Sequence, residues 1–292
     1  MVRPQFARVK AATVDGLVEG SIDLHAHFGP DSKIERSVDL MTMLETASAV
    51  KMRGMVLKSK DYPSYPLAYV GKQQFPHLDP LGAVCLDHDV GGMNPDAVKT
   101  SGRLGARFVW LPTFSSTSDM ALFGRPEMGI PCLDQEGELT VKTVEVLEEI
   151  KRYDMVLATG HITNEETIAV VRKAREMGIT RVIITHPITA HRGGMPTMEM
   201  MKEYVALGAY LEHALIGLMP QTHVITPEEL AESIREIGAE HCILSTDFGQ
   251  IWNPPPAQGM KMFVAMMLGM GFSDDEVEVM VKTNPAKLCG LD

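Results

Sequence analysis

The sequence predicts an α/β chain folded as a single (β/α)8 barrel. Two repeated features and one absence point to it. Eight short apolar runs recur along the 292 residues, and each is followed by a polar loop and then a segment of helical periodicity. No glycine-rich phosphate-binding turn follows any run, which argues against the doubly wound open sheet that the same alternation allows.

The expected strands are Ile22–His27, Gly54–Lys58, Leu81–Asp87, Arg107–Leu111, Met155–His161, Arg181–His186, Ala209–His213 and Cys242–Asp247. They are rich in β-branched residues and lack polar alternation, as parallel strands covered on both faces do. The helices between them carry start signals. Thr163 with Glu166, Thr226 with Glu229 and Ser273 with Glu276 have capping-box spacing, and Pro227 suits a first helical position. Gly178, Gly208, Gly238 and Gly271 stand where helices should stop. Eight such units use up the chain, so residues 1–292 are expected to form one domain. One connection, residues 113–139, is too long for a plain turn. It reads either as a small hairpin turning near Asp134–Gly137 with a lid over the site, or as a solvated insertion.

The chain has 27 basic and 38 acidic residues, a net charge of −11, with 45% apolar and 22% charged residues. An acidic chain with scattered Lys and Arg does not suit a nucleic acid or an anionic membrane, so a small-molecule substrate is expected, and a homo-oligomer is compatible with the fold. The N-terminal MVRPQFARVK lacks the apolar core of a secretory signal, and no apolar run approaches a membrane span. Cys85, Cys132, Cys242 and Cys289 lie far apart without a CxxC, so a reduced, cytoplasmic protein is expected. The methionines on helices, such as Met43, Met201, Met262 and Met267, read as core packing or as an interface.

In such a barrel the active site forms at the C-terminal ends of the strands, and here those ends are polar. The first run ends Asp23-Leu24-His25-Ala26-His27, and a period of two puts Asp23, His25 and His27 on one face. The fifth ends in His161, the sixth in His186 and the eighth in Asp247. One strand-end histidine is commonly structural, but four histidines and an aspartate at four strand ends are the donor set of zinc, manganese or ferrous iron.

The DxHxH of the first strand, the lone histidines of the fifth and sixth and the aspartate of the eighth resemble the amidohydrolase superfamily of metal-dependent hydrolases, over nearly the whole chain. The C-terminal Thr283-Asn284-Pro285-Ala286-Lys287-Leu288-Cys289-Gly290-Leu291 is similar to a segment that closes many of these enzymes, and is expected to be structural. The resemblance implies that His25, His27 and Asp247 hold a first divalent ion. His161 and His186 would hold a second, or His161 would join the first while His186 holds the attacking water. It also implies that Asp23 orients a ligand histidine and that Asp247 moves protons.

The sequence departs from that pattern on the fourth strand, where Val109-Trp110-Leu111-Pro112-Thr113 offers no carboxylated lysine or glutamate to bridge two ions. Lys58, ending the second run, is the nearest substitute. It reads as a carboxylated bridge, a substrate-binding or catalytic lysine, or a snorkelling side chain, with Lys60 the more exposed choice. Asp87, His88, Asp89, His191, Arg192, Glu212, His213 and His223 are rim candidates, only one of Glu212 and His213 can face inward, and His77 and His241 read as ordinary. The expected activity is hydrolysis of an amide, cyclic amide or similar C–N bond by metal-activated water, using one or two ions, zinc first. The alternatives are a one-ion decarboxylase or lyase of the same superfamily and a non-catalytic metal-binding barrel.

Overall fold

The computed structural model describes residues 9–188 and 194–292. The strands are β1 (Ile22–Ala26), β2 (Gly54–Leu57), β3 (Asp79–Cys85), β4 (Phe108–Trp110), β5 (Val156–Ala158), β6 (Val182–Ile184), β7 (Tyr210–Ala214) and β8 (Cys242–Ser245). Before and between the first five lie α1 (Ala11–Val18), α2 (Leu40–Ala49), α3 (Tyr65–Gln74), α4 (Pro95–Leu104), α5 (Thr117–Leu122) and α6 (Val141–Arg152). The rest are α7 (Asn164–Glu176), α8 (Met198–Ala206), α9 (Pro227–Ile237), α10 (Pro256–Gly269), α11 (Asp274–Glu278) and α12 (Asn284–Cys289).

The eight strands pair in parallel in sequence order. Just past β8 the chain returns to β1: the Asp247 N–H donates to His25 O at 2.8 Å and the His27 N–H to Phe248 O at 2.8 Å. These bonds close the sheet into the expected (β/α)8, or TIM, barrel. All three capping boxes form, at Thr163, Thr226 and Ser273, and Gly178, Gly208, Gly238 and Gly271 all take positive φ.

Apolar burial divides into two layers. Inside the barrel lie Ile22, Leu24, Val56, Phe108, Trp110 and Ile183, with Ala286, Leu288 and Cys289 of α12 closing the end where the strands begin. The Asn284 amide donates to Cys242 O at 2.8 Å, which seats α12 at the start of β8. Outside, alternate strand residues such as Met55, Leu57, Val109, Leu157 and Leu211 pack against the helices, with Met43, Met201 and Met267 among them. Met41 and Met262 are exposed. Among the described residues, no helix is long and apolar enough to cross a membrane.

The long β4–α6 connection is folded onto the barrel. Ser116 bridges Ile130, and Leu133 bridges Leu139 across the turn at Asp134–Gly137. The Cys132 N–H donates to Glu166 Oε1 of α7 at 2.7 Å, tying this excursion to the neighbouring unit.

Candidate metal centre

The first strand reaches the site through a bulge. Asp23 pairs with Met55 and Ala26 with Leu57, so β1 advances three residues while β2 advances two. Ile22 and Leu24 face the barrel interior, and the extra residue turns His25 inward as well, its ring 5.6 Å from that of Trp110. The expected single face of Asp23, His25 and His27 is therefore corrected, because strict alternation does not survive a bulge. Asp23 accepts from the His25 N–H at 3.1 Å and from the Thr246 N–H and hydroxyl at 3.1 and 2.6 Å, joining β1 to the end of β8. Burial pushes its carboxyl up to about 6.

His186 and Asp247 lie just past their strands with φ of 29° and 50°. That left-handed backbone is rare for residues with a Cβ and recurs at functional sites. His25 Nε2 and His27 Nε2 each lie 3.1 Å from Asp247 Oδ1, and His186 Nε2 lies 3.9 Å from Asp247 Oδ2. His25, His186 and Asp247 each offer a ligand atom within 4.8 Å of the others. The rings of His161 and His186 are 5.0 Å apart.

The other ring nitrogens have acceptors. His25 Nδ1 is 3.0 Å from Glu212 Oε1, His27 Nδ1 is 3.1 Å from Lys58 O, and His161 Nδ1 is 2.9 Å from Asp119 Oδ2. Ionised carboxylates and carbonyls only accept, so in each ring Nδ1 carries a proton and Nε2 of the neutral imidazole is left to bind a metal. Two Nε2 atoms against one carboxylate oxygen need a proton or a cation among them, and two imidazoles with a carboxylate are a donor set that fits a divalent ion.

Burial opposes charge throughout the cluster, and the neighbours decide the outcome. Asp247 is held well below the usual carboxylate range by His25 and His27 despite its burial. Glu212, equally buried, is drawn down to about 2 by His25. Burial, with His161 nearby, pushes His186 down to about 3, so that imidazole is neutral.

The site opens into a cavity of about 580 Å³ at the C-terminal ends of the strands, a volume suited to a small molecule. His27, Lys58, His161, His186 and Asp247 line it. His25 lies beneath, fully buried. Lys58 Nζ reaches to 2.9 Å from His25 Nε2 and lies 4.9 Å from the centre of the Trp110 ring. Trp110 faces inward from β4.

Several rim candidates are placed elsewhere. Asp87 accepts from the Thr113 and Ser115 N–H groups and shapes the connection after β4. His88 bonds Met128 O, Asp89 pairs with Lys33, and neither lines the cavity. His223 is not among the lining residues either, and His77 is exposed. Of the β7 pair, Glu212 faces the site and His213 faces away, on the side of Leu211. His191 and Arg192 lie outside the described residues.

Lys60 is buried rather than exposed. Its Nζ stands 3.3 Å above the centre of the Phe114 ring, and burial, with Arg36 and Lys58 close by, pushes it down to about 7. Sequence reasoning missed Arg36 and Asp119 altogether. Asp119 lies 42 positions from the histidine it holds. Its one sequence signal is a carboxylate in a short helical stretch of the long insertion.

The sequence profile of one family matches residues 20–212. The chain belongs to DUF6282, a family of unknown function. No curated protein matches this DUF6282 chain in sequence. Among solved structures it is similar to the probable dipeptidase PvdM from Pseudomonas aeruginosa, at 11% identity and a TM-score of 0.70, covering 96% of this chain and 97% of that one. An amidohydrolase from Pseudomonas aeruginosa matches at 11% identity and TM-score 0.64, over 96% and 98% of the two chains. A 2,6-dihydroxybenzoate decarboxylase from Rhizobium matches at 14% and 0.59, over 94% and 99%. At these identities the likeness is one of fold alone, the (β/α)8 barrel.

Proposed function

We propose that this DUF6282 protein is a metal-dependent hydrolase that cleaves a C–N bond of a small molecule. The observation that carries the reading is the convergence of His25 Nε2 and His27 Nε2 on Asp247 Oδ1, with both Nδ1 atoms already bonded. His25, His27 and Asp247 would hold one ion. His161 and His186 would hold a second, or His161 would join the first while His186 faces the substrate. A divalent ion bound there supplies Lewis acidity and brings the pKa of water near 7; zinc suits the donors best, then manganese or iron. Asp247 Oδ2 takes the proton of the attacking water and returns it to the departing nitrogen. Where His186 faces the substrate, its neutral ring would donate a hydrogen bond to the oxyanion that develops on the carbonyl. Lys58, in contact with His25, would help to hold the ions as a carboxylated side chain or would bind the substrate directly. Four buried, unpaired cysteines support a reducing, cytoplasmic setting.

The test is metal analysis of the purified chain followed by chelation, reloading with zinc, manganese or iron, and assay on amides and cyclic amides. Asp247→Asn is expected to lower turnover by about 10²–10⁴-fold, the range of a lost general base. Absence of turnover in the metal-replete protein across that panel rejects the reading.

Trp110 on the inner face of β4 favours a second reading, a one-ion decarboxylase. Two ions per chain would eliminate it. One ion with carbon dioxide release from a carboxylate substrate would establish it instead.

A further inference from the structure

The chain carries a net charge of −11, yet among the described residues its cavity is lined by Arg36, Lys58 and Lys60 against one carboxylate, Asp247. Arg36 is held in place from two directions. Its backbone bridges Gln250, and its Nε donates to Asp31 Oδ2 at 2.9 Å, with Nη2 on the same oxygen. The side chain is only 2% exposed, and Nη1 is buried without a hydrogen-bond partner among the described residues. A buried guanidinium nitrogen left bare is costly, so its retention at the wall of a cavity calls for an acceptor from outside. Lys60, also buried, has the Phe114 ring as its neighbour and, among the described residues, no carboxylate within ion-pair distance.

Resting on the hydrolase reading for the position of the reacting bond, we propose that the cavity binds a small organic monocarboxylate. One carboxylate oxygen accepts from Arg36 Nη1 and the other from Lys60 Nζ. The apolar body of the ligand lies against Ile34, Ile216, Val224 and Trp252, which line the same cavity. The fork of Arg36 that could grip an anion with two parallel bonds is taken by Asp31, leaving one nitrogen free. One donor from Arg36 and one from Lys60 match the two oxygens of a carboxylate. A phosphate dianion would leave further oxygens unpaired among apolar walls.

The experiment is ligand-observed NMR on the full chain, chelator-treated and zinc-loaded, with benzoate, its neutral isostere benzamide, and inorganic phosphate. Benzoate is expected to bind at least tenfold more tightly than benzamide in both forms. Lys60→Met and Arg36→Gln should each weaken benzoate about tenfold and leave benzamide within twofold. Lys60→Met keeps the proposal testable if loss of the Arg36–Asp31 pair unfolds the chain. Equal binding of benzoate and benzamide, no saturable benzoate binding, or displacement of benzoate by phosphate at lower concentration overturns it. Metal content is measured on the same samples. Zinc binding without benzoate preference removes the carboxylate subsite alone, whereas benzoate preference in a chain that takes up no metal removes the hydrolase reading alone.

Discussion

Glu212 makes four contacts with its carboxylate: two to His25 Nδ1, one from the His186 N–H at 3.2 Å and one from the Ser245 hydroxyl at 2.6 Å. It thus fixes the ring of one candidate ligand and the backbone of another. Glu212→Gln keeps the shape and removes the charge, and its amide nitrogen can present a donor to a donor. Zinc affinity, read by competition with a chromophoric chelator, is expected to fall about 10–100-fold with the fold retained. Asp119→Asn should act in the same direction through His161 Nδ1. An unchanged affinity in both variants would show that neither carboxylate positions a ligand.

At the scale of elements, β7 offers a test independent of the metal. His213 is fully buried with neither ring nitrogen bonded, and burial pushes it down to about 4 from an ordinary 6.5. The unfolded chain therefore takes up this proton first as pH falls. His213 contributes stability that is complete above pH 6.5 and is lost toward pH 4, by about 3 kcal/mol at 1.36 kcal/mol per unit. Urea unfolding at pH 7 and pH 4.5 should show a smaller difference for His213→Leu than for the natural chain. Equal differences would place the acid sensitivity elsewhere.

The strands themselves explain what could be read in advance. An apolar run that stops at a histidine or aspartate marks both the strand and the end that lines the cavity, so the placement of His161, His186 and Asp247 was legible. The β1 bulge was not, because one extra residue is defined only by its pairing with β2. Arg36 was hidden for a related reason: its environment comes from Asp31 and from a bridge to Gln250, more than 200 positions away in the chain. Lys60 looked exposed because nothing local foretells the Phe114 ring above it.

For the molecule as a whole, the two-layer core accounts for all four cysteines. Cys85 and Cys289 lie in the interior layer, Cys132 and Cys242 in the outer one, and burial raises every thiol, the first two to about 12. A thiol reagent at pH 8 should find no reactive group within minutes in the folded chain and four after denaturation. Fast reaction of any one in the native state would reveal local opening of its layer.

The contrast between an acidic exterior and a cationic cavity also has a kinetic consequence. An approaching anion meets the repulsion of the whole chain first, and the attraction of the cavity only within its last few ångströms. Raising ionic strength from 10 to 150 mM shortens the screening length from about 30 to about 8 Å, which removes the outer barrier while sparing the buried charges. Carboxylate entry should therefore quicken with salt, opposite to the usual behaviour of electrostatically steered ligands, and the acidic surface would serve to slow polyanions that the cavity is not shaped to hold.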